Sequence, residues 1–191
     1  MVNERRKYGT FFVKFWSFYA REPLAFIGIL MIIRPEHAAD ENAIFKLEAA
    51  AFKTDMEARL VDLLRADGDL TISLVAEDGG EIIGHIAMSP MEAPVRAMGL
   101  GPVAVRPDLQ RQGVGSKLIN AALDIAESQD IQAVFLLGHA AYYPRFGFSP
   151  ELAAPFTSKY SSPNFMAKEL EIGCLKGLTG KVDYAPAFSK I

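Results

Sequence analysis

Cysteine is all but absent from this chain: Cys174 is the only one among 191 residues. A single thiol excludes a disulfide scaffold and is compatible with a reducing compartment. Histidine is scarce as well. His37, His85 and His139 lie far apart, and with one cysteine they offer no metal-ligand spacing. An excess of basic charge is also missing. Lysine plus arginine number 20 against 23 aspartates and glutamates, a formal charge of −3, so no global attraction to nucleic acid exists. The apolar run at residues 24–33 is too short to span a bilayer. An export signal fits poorly too. Charged residues and Pro23 interrupt the apolar stretch, and processing near Ala38-Ala39 would remove a strand. These absences point to a cytoplasmic protein. What remains is 50% hydrophobic and 23% charged, the balance of a globular domain with a sizeable core.

Residues 1–30 differ from the rest. Tyr8, Phe11, Phe12, Phe15 and Tyr19 share a helical face among Arg5, Arg6, Lys7, Lys14 and Arg21. The segment reads as a non-native upstream extension, an appended amphipathic helix or a membrane-surface anchor. From Met31 the pattern is regular, and residues 31–191 are expected to form one domain. Residues 32–34 read as a strand ended by Pro35. Asp40 is placed to cap a helix carrying Ile44, Phe45, Leu47, Ala51 and Phe52. Thr54 and Asp55 open a second helix, closed near Gly68. Residues 72–77 and 81–89 are strands around the hairpin signal Asp78-Gly79-Gly80. Residues 90–94 read as a loop. Residues 96–105 form the next strand, where Gly99 and Gly101-Pro102 suggest a bulge or a close backbone approach.

The stretch at residues 100–118 organises the chain. An apolar run, Val103-Ala104-Val105, is stopped by Pro107. Gln110-Arg111-Gln112-Gly113-Val114-Gly115-Ser116 then leads into Leu118, Ile119, Ala122, Ile125 and Ala126, which share one helix face. A helix start leaves unpaired N–H groups at the positive end of its dipole, and together they hold an anion. Gly113 and Gly115 let the backbone come close, Arg111 and Lys117 add charge, and Ser116 adds a hydroxyl. The physical reading is a pyrophosphate cradle; the bland one is a glycine turn between strand and helix. Neither the Gly-Lys-Ser/Thr of a P-loop nor Gly-x-Gly-x-x-Gly is present. Residues 131–137 read as an apolar strand parallel to the strand before the cradle. A short helix at residues 140–143 is ended by Pro144-Arg145-Phe146-Gly147-Phe148, and strands follow near residues 165–170 and 181–184.

Gln110, Gly113 and Gly115 fill the Gln/Arg-x-x-Gly-x-Gly/Ala pattern of the GCN5-related N-acetyltransferase (GNAT) superfamily. Tyr143-Pro144-Arg145-Phe146-Gly147-Phe148 resembles the Tyr-x-x-x-Gly-Phe of the same domain. Together with IGHIAMSP, FMAKEL and the closing VDYAPAF, these stretches resemble the bacterial YhbS-like acetyltransferases from Met31 onward. The resemblance implies an α/β fold, a mixed twisted sheet of about seven strands with helices on both faces. Its two central parallel strands splay apart, and acetyl-CoA wedges between them as co-substrate, with no metal. Pantetheine would pair with the backbone of Val103 and Val105, and the Val103 N–H would polarise the thioester carbonyl. Gln110, Arg111, Gln112, Gly113, Val114, Gly115 and Ser116 would hold the pyrophosphate. Tyr143 stands where the family's general acid lies, with Tyr142 as competitor. Leu136 occupies the place where many members carry an asparagine that contacts the cofactor, and a shortened turn at Gly138-His139 follows it.

Among groups that could deprotonate the acceptor, Glu92 lies in the loop before the cofactor strand; the alternative is a solvated loop carboxylate. His85 reads as a satisfied core histidine, and His139 lies beside the expected cleft. The expected reaction is transfer of acetyl from acetyl-CoA to a primary amine, by direct attack in a ternary complex. A small-molecule acceptor is expected, with the protein a monomer or homodimer. The alternatives are acetylation of a protein lysine or N-terminus, and a non-catalytic acyl-CoA-binding module.

Overall fold

A computed structural model describes residues 31–191, and the features expected of residues 1–30 lie outside the described residues. In chain order the elements are β1 (Ile32–Pro35), α1 (Glu41–Phe52), α2 (Met56–Asp67), β2 (Ile72–Asp78), β3 (Glu81–Glu92), β4 (Ala97–Val105), α3 (Val114–Ser128), β5 (Ala133–Leu137), α4 (Pro150–Ala153), β6 (Phe156–Thr157), β7 (Phe165–Glu169), β8 (Gly180–Lys181) and β9 (Asp183–Tyr184). The main sheet is seven-stranded and mixed, in the order β1-β2-β3-β4-β5-β7 with β9 beside β3; β6 and β8 form a separate pair. Only the β4–β5 pair of this sheet is parallel, as the intervening α3 requires. No helix among the described residues is long and apolar enough to cross a membrane.

The sheet separates apolar layers. On one face α3 buries Val114, Leu118, Ile119, Ala122 and Ala126 against Ile86, Met88, Leu100, Val134 and Leu136. On the other, α1 and α2 bring Ile44 and Val61 onto Val75 and Ala87. Strand alternation sorts β3 between them. Ile86 and Met88 face α3, while His85, Ala87 and Ser89 face the opposite way.

Four local expectations are corrected. Asp40 stands at the start of α1 but does not cap it: its carboxylate turns back to Arg34, which donates to both oxygens at 2.6 and 3.1 Å, and to the His37 N–H at 2.7 Å. Residues 90–92 belong to β3 and are no loop. Pro90 is tolerated because β2 pairs only as far as Met88 and β9 begins at Met91, so its missing N–H faces a gap in the ladder. The strand expected at 181–184 is two short strands pairing with different partners, β8 with β6 and β9 with β3. The helix at 140–143 is instead a turn leading into a 3-10 segment, Tyr143–Phe146, with Pro144 inside its first turn, where no N–H is needed.

Candidate active site

The site starts from a mismatch of pairing. β5 pairs with β4 only at Ala97, Met98 and Gly99, although β4 runs on to Val105. From Leu100 onward that edge of β4 has no strand beside it. On its other edge the register slips between Ile86 and Met88, whose partners Val103 and Leu100 are three residues apart. The extra residue falls at Gly101-Pro102, a bulge that bends the strand where it leaves β5.

The bulge also decides which backbone groups face the gap. Arg106 N donates to Ile83 O at 2.9 Å, so positions 106 and 104 are the hydrogen-bonded ones against β3. Hydrogen-bonded and free positions alternate along an antiparallel pair. The N–H and C=O of Val103 and Val105 therefore point away from β3, into the space β5 has vacated. Gln110 reaches back and donates its side-chain amide to Val105 O at 3.2 Å, tying the following loop to the strand end.

That loop forms the candidate cradle. Gly113 has φ +89° and is the N-cap of α3, with open space where a side chain would stand. The first α3 bond closes from Lys117 N to Gly113 O at 3.1 Å. The N–H groups of Val114, Gly115 and Ser116 precede it and have no partner within the helix. Arg111, φ +64°, and Gln112 stand exposed beside them, and Gln112 donates to Asp108 O at 3.1 Å. Free amides, an exposed guanidinium and the Ser116 hydroxyl stand together here, with open space at Gly113.

The two tyrosines part company. The Tyr142 hydroxyl lies 3.3 Å from Ser116 Oγ, and Arg145 stacks 4.6 Å above its ring. Tyr142 thus belongs to the cradle side. Tyr143 turns to the end of β5, where its ring packs so closely on Gly138 that a Cβ there would lie 2.1 Å from it. Burial, with a smaller contribution from Tyr142, pushes the Tyr143 phenol up to about 12. The 3-10 segment is held by Lys168 Nζ donating to Phe146 O at 2.7 Å, and His139 supports it through its carbonyl, which accepts from Tyr142 N at 2.8 Å. Leu136 is buried in the α3-side core and offers nothing to the gap.

Glu92 stands apart. It lies at the end of β3, opposite Asp183. Ile86, the partner of Val103, is six residues away, about 20 Å along the strand. Three buried groups were not singled out in the sequence. Tyr184 covers Gly99, where a Cβ would meet its ring at 2.5 Å, and its hydroxyl has no hydrogen-bond partner. Burial, then the neighbouring Tyr160 and Tyr143 phenols, raise its pKa. Ser89, opposite Gly99, has an equally unpartnered hydroxyl.

The third group, Glu48 on α1, is fully buried and accepts from or donates to His85 Nδ1 at 2.6 Å. His85 Nε2 meets Ser73 Oγ at 2.9 Å, and Ser73 donates to Glu36 at 2.5 Å. With the Ser73 hydrogen committed to a carboxylate, Nε2 carries a proton and donates. Burial pushes the Glu48 carboxyl up, and the hydrogen bond with His85 works against that rise. His85 is thus a satisfied core residue. Glu48 falls four residues after Ile44, so a charge on the apolar face of α1 was the available signal. Among the described residues no group of three or more histidine, cysteine, aspartate or glutamate side chains could hold a metal.

Comparison with known proteins agrees with this geometry. Residues 37–148 match the acetyltransferase (GNAT) family. The uncharacterised N-acetyltransferase YhbS of Escherichia coli strain K12 is 37% identical over 168 residues, 84% of this chain and 99% of that protein. The crystal structure of Escherichia coli YhbS in complex with CoA superposes with a TM-score of 0.79 at 34% identity, over 84% of this chain and 92% of that one. A GNAT acetyltransferase from Brucella melitensis in complex with acetyl-CoA gives 0.70 at 36% identity, over 83% and 97%.

Proposed function

This chain belongs to the GNAT family of acetyl-CoA-dependent N-acetyltransferases, and on that premise we propose that it transfers acetyl to a primary amine of a small-molecule acceptor, by direct attack in a ternary complex. The observation that carries the reading is the unpaired edge of β4 beside the start of α3. An extended amide chain can add there as a strand while its phosphates rest on the helix start. Acetyl-CoA has both parts, and relatives at 34% and 36% identity hold CoA and acetyl-CoA.

In this mechanism Val103 and Val105 align the pantetheine, and the cradle from Gln110 to Ser116 anchors its phosphates. The Val103 N–H donates to the thioester oxygen as negative charge develops on it. A neutral amine attacks the carbonyl carbon and the C–S bond breaks. Tyr143, across the gap at the end of β5, gives its proton to the departing thiolate. Glu92 is too far along β3 to take the amine proton directly, so that proton leaves through water.

Release of CoA thiol from acetyl-CoA, followed across a panel of small amines, tests the proposal. Turnover with small amines supports it. Acetyl label appearing only on proteins in a lysate would move the acceptor to a lysine or N-terminus. Acetyl-CoA binding without thiol release against any amine or protein would leave a non-catalytic binding module.

A further inference from the structure

We infer that the acceptor is an elongated amine carrying a second ammonium group, and that a cavity at the far end of β3 seats that second charge; this rests on the acetyl-transfer reading above. The cavity measures about 770 Å³, within the rough 300–1,000 Å³ of small-ligand sites. Neither the cradle residues nor Val103 and Val105 line it. Tyr184 borders both regions. It lines the cavity, and its ring covers Gly99, the last β4 residue that pairs with β5. Its unpartnered buried hydroxyl stands at this boundary.

The lining selects charge. Asp69, Glu92 and Asp183 face Lys159 and Lys181. Lys181 pairs with Asp183, and Lys159 lies 5.6 Å over the Tyr160 ring. Asp69, Glu92 and Lys159 are in no ion pair among the described residues, and Glu92 acts on Lys181 only from longer range, so three carboxylates stand against two lysines and the one surplus negative charge suits a single cation. Tyr160 and Phe188 flank Tyr184 at ring separations of 5.3 and 4.6 Å. That aromatic wall suits a methylene chain ending in an ammonium.

The register sets the length. Glu92 is about 20 Å along β3 from the partner of Val103. The acetyl group and the glutamate side chain each shorten the remaining span, leaving roughly 10–15 Å between the two nitrogens. A short amine cannot reach both ends.

Three probes of matched length test this on the full chain loaded with CoA, by calorimetry: 1,8-diaminooctane, n-octylamine and 8-aminooctanoate. The diamine should bind at least about tenfold more tightly than the monoamine. Glu92→Gln and Asp69→Asn should each erase most of that margin while leaving octylamine and CoA affinity unchanged. Equal binding of diamine and monoamine overturns the inference, as does preference for 8-aminooctanoate or an undiminished margin in both variants. Binding is read without turnover, so failure of the diamine preference is distinguishable from failure of acetyl transfer. Loss of CoA binding by the unaltered protein would count against the transfer reading alone, with the diamine arms then run on the CoA-free chain.

Discussion

Tyr143 and Tyr142 are adjacent in sequence, yet they occupy different chemistry. The Tyr142 hydroxyl is engaged at Ser116, whereas Tyr143 is buried at the end of β5 with its phenol raised to about 12. A raised phenol keeps its proton throughout the neutral range, as an acid must. Passing it to a thiolate of pKa near 8.5 is roughly 5 kcal/mol uphill at rest, a cost that a positioned pair can carry within a turnover barrier. Tyr143→Phe removes the proton and keeps the ring on Gly138. Steady-state kinetics with any amine that turns over should show kcat lower by about 10- to 1,000-fold, with the KM for acetyl-CoA little changed. Tyr142→Phe should have the smaller effect. Full kcat in Tyr143→Phe with loss in Tyr142→Phe would move the acid one residue back; full kcat in both would give the thiolate its proton from water. The tyrosine pair was legible in the sequence as a motif, but its division of labour was not. That depends on which way each ring turns after β5, and Gly138, Phe148 and Arg145 decide it through contacts no spacing encodes.

At the scale of elements, the strand, loop and helix around the cradle were the most legible part of the chain, because their signals are local. An apolar β-branched run, a proline stop, two glycines and a helical face follow one another directly in residues 103–126. The weight of the loop rests on Gly113, whose φ of +89° meets open space. Gly113→Asp should weaken CoA binding at least about tenfold by calorimetry, since its carboxylate would stand where the proposed cradle holds phosphate. Gly113→Ala shares the backbone strain without the charge and should lose less. Unchanged CoA affinity in a well-folded Gly113→Asp protein would remove the cradle assignment. The elements that sequence patterns misplaced are those set by distant neighbours. Pro90 reads as a strand breaker, yet it lies within β3 because the ladder on that side has a gap between β2 and β9.

For the molecule as a whole, the order β1-β2-β3-β4-β5-β7 puts the main sheet's one parallel pair, β4–β5, inside the sheet and ends it after three residues. All described strands follow Met31, and the family match begins at residue 37. Protein spanning Met31 to Ile191 should therefore melt and bind acetyl-CoA as the full chain does. Loss of soluble protein or of binding in that truncation would make residues 1–30 part of the working domain; flotation of only the full chain with anionic liposomes would make them a membrane-surface anchor.

By itself the sequence determined the alternation of strands and helices and the strand, loop and helix that follow one another over residues 103–126, because each is written in residues close together along the chain. Only the tertiary structure decided what lies across the gap from what. Val103 and Val105 expose their backbone because Arg106 bonds to Ile83 and fixes the phase of the ladder. Glu92 stands about 20 Å along the strand from Ile86 because β3 runs on past β2. Glu48 meets His85 across 37 residues of chain, and Tyr184 comes to rest on Gly99 from the far end of the fold. Side chains that far apart are brought together by the packing of the whole sheet, and a local pattern holds no record of it.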